Sequence, residues 1–363
     1  MIEGDGRPDG ITQLRALGQS VWLDDLGRHL LDTGSLGQLI REGVSGVTSN
    51  PTIFAEAFAS AAYDDRIRSL GAEGLRPAEI AQALAIEDVG RAADLLLPVY
   101  EAAGGSDGFV SIEVAPRLAH DVDATVMEAH RLHAALARPN VMVKVPGTAA
   151  GVQALRRLIG DGVSVNVTLL FSPGRYEEIL DAYVVGAEER IAQNRPVPGS
   201  VASFFLSRID AAIDPMLDAL GGSWSHALRG RAAIESARAA YQLQADREAG
   251  ERWQRLAARG ARTQRLLWAS TGVKDTAYSP TRYVEALALP GTVTTLNRST
   301  LADTLAMDRP NPLAGPSGLE ELSGRLAELG IDMIAITRQL EAEGLAKFEA
   351  SMTAMEDAVA RRL

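Results

Sequence analysis

The sequence predicts an α/β fold, a closed parallel (β/α)8 barrel with additional helices, and three observations lead there. Short apolar stretches alternate with longer segments of helical period, the stretches number eight, and polar or charged side chains recur at one parity toward their C-terminal ends. The strands are expected at 21–24, 44–48, 109–114, 141–145, 163–170, 201–206, 265–270 and 292–296. Between them, Ile86, Val89, Ala93, Leu96 and Tyr100 keep a 3.6-residue spacing, as do Val122, Val126, Ala129, Leu132 and Leu136, so both segments read as outer helices. Ser172 and Pro173 supply an N-cap and a proline at the first helical position, ahead of the stripe Tyr176, Ile179, Tyr183, Ala187 and Ile191. A further helix should follow Ser207, and 231–259, rich in Ala, Arg, Glu and Gln, has the composition of one extended helix. A loop with Pro310, Pro312 and Pro316 precedes a helical tail, in which Phe348, Met352, Met355, Val359 and Leu363 share a face expected to pack on the barrel.

Composition bounds the rest. At 363 residues, 46% hydrophobic and 23% charged, the chain can build one large core, and we expect a single barrel domain over 1–363 with the helical tail from about 317. The formal charge of -11 disfavours nucleic acid and anionic membranes as general partners, although a local basic pocket could hold a small anion. The absence of cysteine removes disulfides, thiolate catalysis and zinc-thiolate sites. The polar start 1–9 lacks a secretory leader pattern and no apolar run is long enough to span a bilayer, so the cytoplasm is the expected location. Oligomeric state stays open.

Lysine is rare here: Lys144, Lys274 and Lys347 stand against 33 arginines. Where a chain uses arginine for bare positive charge, a surviving lysine is of interest wherever an amine, not a guanidinium, could be required. Strand parity gives that idea a location. Val141, Val143 and Val145 face the outer helices, which turns Met142 and Lys144 inward. By the same alternation Ser111 and Glu113, Ser164, Asn166 and Thr168, and Trp22 with Asp24 point to the axis, while Val163, Val165, Val167 and Leu169 point out. Asn50 and Ser203 join the rim. Four strands thus aim Asp24, Glu113, Lys144, Asn166 and Thr168 at one place near the C-terminal face, where barrel enzymes carry their chemistry.

A bland reading exists, in which Lys144 only neutralises Glu113 or Asp24. It is weakened by the preference for arginine elsewhere. A buried amine among carboxylates, with Asn and Thr beside it, is the set a Schiff base requires: the amine attacks a ketone, one carboxylate manages the water, and a second deprotonates a hydroxyl so that a C–C bond breaks. Other signals are weaker. His130 and His133 lie one helical turn apart without a carboxylate in the motif, and no P-loop, GxGxxG or HExxH occurs. Arg208, Lys274 and Arg298 follow the sixth, seventh and eighth strands, where barrels bind phosphate.

The blocks Trp22-Leu-Asp24-Asp25-Leu, Gly46-Val-Thr-Ser-Asn-Pro51, Ser111-Ile-Glu113-Val, Val143-Lys144-Val-Pro, Val165-Asn166-Val-Thr168-Leu-Leu-Phe-Ser172, Ala202-Ser203-Phe204-Phe-Leu-Ser-Arg208 and Trp268-Ala-Ser270 resemble transaldolases over nearly the whole chain. The length and Ser270-Thr-Gly-Val-Lys274 resemble the longer bacterial form. The resemblance implies a TIM barrel of the non-oxidative pentose phosphate pathway, working on sugar phosphates with no cofactor and no metal. It implies Lys144 as the Schiff-base residue, Glu113 with Thr168 holding the catalytic water, and Asp24 as acid/base, preferred over Asp25, whose parity points outward. Thr48, Asn50, Asn166 and Ser203 would bind substrate, the last three through hydroxyls of a three-carbon unit, and Arg208 with Ser270 would bind phosphate. Many transaldolases carry a second arginine where this chain has Gly272, and Lys274 is the candidate replacement. The alternatives are an aldolase that frees dihydroxyacetone from the same lysine, and a silent sugar-phosphate-binding barrel.

Overall fold

In a computed structural model describing residues 8–363, the expected strands close into one barrel. They are β1 (Ser20–Leu23), β2 (Gly46–Thr48), β3 (Val110–Glu113), β4 (Val141–Pro146), β5 (Val165–Leu170), β6 (Ser200–Phe205), β7 (Arg265–Ala269) and β8 (Val293–Leu296). Each pairs in parallel with its sequence neighbour, and β1 closes on β8 through Trp22 opposite Thr295. This is a (β/α)8 TIM barrel with extra helices. Most of the polar start 1–9, read above for a leader, lies outside the described residues.

The valines that alternate along β4 are buried against the helical ring, which is why an apolar/polar alternation can exist inside a sheet covered on both faces. Trp22, Phe109 and Met142 fill the barrel floor, all buried. Trp22 donates from Nε1 to Asp107 at 2.7 Å, and burying such a ring stabilises the fold by roughly 5 kcal/mol. Gly46 makes room for it: a Cβ there would stand 2.5 Å from the indole.

The helices Pro77–Ala102, Val122–Leu136, Pro173–Ala192 and Ser207–Leu220 occupy the expected places. Ser172 caps as its sequence implies, its hydroxyl accepting from the Arg175 N–H at 3.2 Å. The segment 231–259 corrects the expectation of one extended helix. Gly250, with extended backbone, divides it into Ala232–Ala249 and Glu251–Ala257, because glycine stabilises a helix poorly and here ends one and precedes the next. A second correction concerns β5. Leu169 has φ of 62° and the register with β6 shifts between Val167 and Leu170, so the regular alternation stops before Leu169.

The tail forms helices Leu319–Glu328 and Met333–Ala360. The last helix lies across the C-terminal side of the barrel, with Phe348, Met355 and Val359 buried as the stripe required. Leu363 departs from that stripe: it follows the helix end and is exposed. Gly344 permits the crossing, since a Cβ would stand 2.9 Å from Leu169 Cδ2. Ser351 Oγ and Thr52 Oγ1 share a hydrogen bond of 2.8 Å, Glu341 pairs with Arg175 at 3.5 Å, and Arg362 pairs with Asp64. Among the described residues no helix is long and apolar enough to cross a membrane.

Candidate active site

Glu113 and Lys144 are direct partners in the β3–β4 register, and parity turns both side chains into the barrel. Lys144 Nζ lies 3.4 Å from Glu113 Oε2 and donates to the Ser49 carbonyl at 2.9 Å. Both side chains are nearly sealed from solvent, 5% and 3% exposed, which removes the screening that makes surface ion pairs weak. Neither Glu113 oxygen has a hydrogen-bond partner among the described residues, and the buried Thr168 hydroxyl has none either. Two groups able to hold a water are therefore left with unfilled capacity on the strands that flank β4.

Asp24 follows β1 directly, its N–H donating to the Leu296 carbonyl at 2.8 Å, so the ladder fixes its backbone. Burial pushes its carboxyl above the usual aspartate range, the charge of Lys144 opposes that, and neighbouring Asp25 adds to it. Burial raises Glu113 in the same way, with Lys144 pulling down and Asp24 pushing up. Asp24, Glu113 and Lys144 thus form one electrostatic group drawn from three strands. Asp25 is engaged elsewhere: Arg298 Nε lies 2.8 Å from its Oδ2 and His29 Nε2 lies 3.1 Å from the same atom.

A second group lines the next strands. Ser203 Oγ donates to Asn166 Oδ1 at 2.7 Å, and Asn166 Nδ2 donates to Ser111 Oγ at 3.1 Å, a chain across β6, β5 and β3 that fixes the amide's orientation. Thr48 is buried at the end of β2, and Asn50 caps the helix Pro51–Phe58 by accepting from the Ile53 N–H at 3.1 Å.

Arg208 stands at the start of the helix after β6, its guanidinium 5.3 Å from the Phe205 ring centre. Among the described residues it has no ion pair within 4 Å, and burial lowers its pKa, with only the charge of Glu343 opposing. A desolvated arginine without a carboxylate partner suits an incoming anion. Ser270 shares a 2.9 Å hydrogen bond with Ser207 and is held at φ of 55°, an uncommon conformation for a residue other than glycine. Lys274 is exposed and lines a separate cavity of about 370 Å3 with Ser207, Asp210, Asp214 and Asp275. His130 pairs with Asp161 at 2.9 Å, away from this constellation.

Two participants escaped the sequence reading. The Ser49 carbonyl is a backbone group, invisible in residue types. Phe348 lies with its ring centre 5.9 Å from Lys144 Nζ, although its sequence signal is only membership of an apolar helical stripe. Ser111 was legible through parity, but its bond to Asn166 was not.

Fold and site together define a parallel barrel whose C-terminal rim buries a single amine among carboxylates, amides and hydroxyls, with a desolvated arginine to one side. The chain belongs to the transaldolase/fructose-6-phosphate aldolase family, whose model matches residues 21–359. It is 45% identical to transaldolase 1 of Streptomyces avermitilis over 100% of this chain and 98% of that protein. It is 46% identical to a transaldolase of Thiobacillus denitrificans over 93% and 96%, and 44% identical to one of Acidothermus cellulolyticus over 98% and 97%.

Proposed function

We propose that this chain is a transaldolase that moves a dihydroxyacetone unit from sedoheptulose 7-phosphate to glyceraldehyde 3-phosphate, giving erythrose 4-phosphate and fructose 6-phosphate. The observation that carries the reading is the buried Lys144 amine, 3.4 Å from Glu113 and under the charge of Asp24, in a chain of that family. Lys144 Nζ attacks the ketone carbon, and the carbinolamine loses water to give the iminium, Glu113 and Thr168 holding that water. Asp24 takes the proton of the hydroxyl beyond the scissile bond; the C–C bond breaks, its electrons neutralise the iminium as an enamine, and the first aldehyde leaves. The enamine carbon then adds to the acceptor aldehyde, Asp24 returns the proton, and water regained at the imine carbon frees the new ketose. Asn50, Asn166 and Ser203 would hold the three-carbon unit, Thr48 would also bind substrate, and Arg208 with Ser270 would hold the phosphate, with Lys274 the candidate for further phosphate contact. We take the chain to act as one barrel domain in the cytoplasm.

Borohydride reduction with fructose 6-phosphate tests the reading, because only an imine is trapped covalently. The adduct should map to Lys144 and vanish in Lys144→Arg, whose guanidinium keeps the charge but forms no imine at neutral pH. An adduct on Lys274 or Lys347 would overturn the assignment. Product analysis with and without an aldehyde acceptor separates transfer from simple release of dihydroxyacetone.

A further inference from the structure

We propose that Tyr278 and Asp214 are positioning residues for phosphate recognition, tying the loop that carries Ser270 and Lys274 to the helix that carries Arg208. The proposal rests on the phosphate assignment made above. The loop runs from the end of β7 at Ala269 to the helix Arg282–Ala286, without helix or strand of its own. Its first residues are held to the barrel: Ser270 shares its bond with Ser207, and the Thr271 hydroxyl donates to the Thr295 carbonyl at 2.6 Å. Among the described residues Gly272 and Lys274 have no hydrogen bond or ion pair, so their place is set by what holds the loop further on.

Tyr278 is that further anchor. Its hydroxyl donates to Asp214 Oδ2 at 2.7 Å, and its ring meets two guanidinium groups, Arg282 at 4.5 Å and Arg229 at 5.8 Å from the ring centre. Burial and the Asp214 carboxylate push the phenol up, so it keeps its proton and stays a donor. Asp214 is itself buried and fixed through its other oxygen, Oδ1 accepting from the Gly230 N–H at 2.9 Å. Arg229 adds a second tie through its ion pair with Asp275. The anchor belongs to the helix Ser207–Leu220, on which Asp214 stands roughly 9 Å beyond Arg208 at about 1.5 Å per residue. One helix thus fixes both the arginine and the post that holds the loop, and the spacing of Arg208 from Ser270 and Lys274 follows from it. A dianion gains most from donors already in place, because every group that must be ordered on binding subtracts from affinity. Loosening the loop should therefore weaken phosphate binding without touching imine chemistry at Lys144.

Tyr278→Phe removes one hydroxyl and keeps the ring. Borohydride trapping is titrated with fructose 6-phosphate and with fructose, alongside steady-state turnover. The fructose 6-phosphate concentration for half-maximal trapping should rise roughly three- to tenfold, the scale of one hydrogen bond, and KM with it. The value for fructose and the maximal trapping rate should stay unchanged. Asp214→Asn should keep most of the affinity, because its carboxamide oxygen accepts from Gly230 while its NH2 donates to the Tyr278 oxygen; Asp214→Ala should reproduce the Tyr278→Phe loss. In Tyr278→Phe, an equal shift for both sugars, or a shift for neither, overturns the proposal and leaves the bond a support for the fold only. Ser270→Ala, measured in parallel, tests the assignment beneath it. A loss confined to fructose 6-phosphate upholds that assignment even where Tyr278→Phe shows none, whereas equal effects on both sugars overturn it and the proposal with it.

Discussion

The ring of Phe348, on the last helix, faces the amine of Lys144 on β4 at 5.9 Å, so the C-terminal element roofs the centre of the barrel. The ring is buried and its helix is tied to the barrel by Ser351–Thr52 and Glu341–Arg175. Phe348→Ala should cost about 3 to 5 kcal/mol in unfolding free energy, from lost burial plus the cavity left behind. Below the melting range, water reaching the enamine should raise the ratio of free dihydroxyacetone to transferred product. Phe348→Leu, which refills much of the space, should recover most of the transfer. The ratio is read from paired assays with and without acceptor, and an unchanged ratio in Phe348→Ala would show that the ring does not shield the site.

Asp24 and Glu113 approach Lys144 from different strands, so they should serve different steps. A general base contributes roughly 10²- to 10⁴-fold to the step it serves. Asp24→Ala should still form a borohydride-trappable adduct but cleave it slowly, accumulating the uncleaved ketose imine. Glu113→Gln should be slow to form any adduct. Rapid-quench trapping decides, and the reverse pattern exchanges the two roles. Because burial raises both carboxyls, the acidic limb of kcat/KM should lie above the ordinary carboxylate range.

Arg208 is desolvated and has no ion-pair partner among the described residues, so the phosphate of the substrate should matter to it more than the sugar does. Arg208→Ala should lower kcat/KM for phosphorylated ketoses by roughly ten- to a hundredfold, the equivalent of ~1.5 to 3 kcal/mol for a charge-assisted contact. Unphosphorylated ketoses should be affected far less. Equal losses on both would remove Arg208 from the phosphate site. Lys274→Ala, measured in parallel, decides whether that lysine contributes; no effect on phosphorylated substrates would leave it a surface charge.

Asp210 gives a stability test away from the chemistry. Burial pushes its carboxyl up to about 6, against the hydrogen bonds from the Ala233 N–H and the Tyr283 hydroxyl. A carboxyl raised in the folded state contributes stability that is fully present below its unfolded value of 3.8 and is lost as pH rises through about 6. The amide of Asp210→Asn does not titrate. Its unfolding free energy relative to the unmodified protein should therefore climb between those two values and level off above them, by a margin of up to about 3 kcal/mol. A pH-independent difference would show that Asp210 is not perturbed.

The sequence by itself determined the barrel and most of the proposed chemistry. Eight apolar stretches with intervening helical periods leave few alternatives to a closed parallel sheet, and strand parity sorts Lys144, Glu113, Asn166 and Thr168 inward because a strand's side chains alternate whatever the loops do. Local chemistry was legible too, as at Ser172 and Pro173. Only the tertiary structure decided what depends on contacts between distant segments or on a single backbone angle. Gly250 divides a segment whose composition reads as one helix, and Leu169 leaves the alternation through a positive φ that no residue type announces. The placement of Phe348 over Lys144, the Ser49 carbonyl that accepts from its amine and Arg298 on Asp25 all come from packing between segments far apart in the chain. Periodicity fixes which way a side chain faces along its own element; what it meets there is set by how the last helix crosses the barrel.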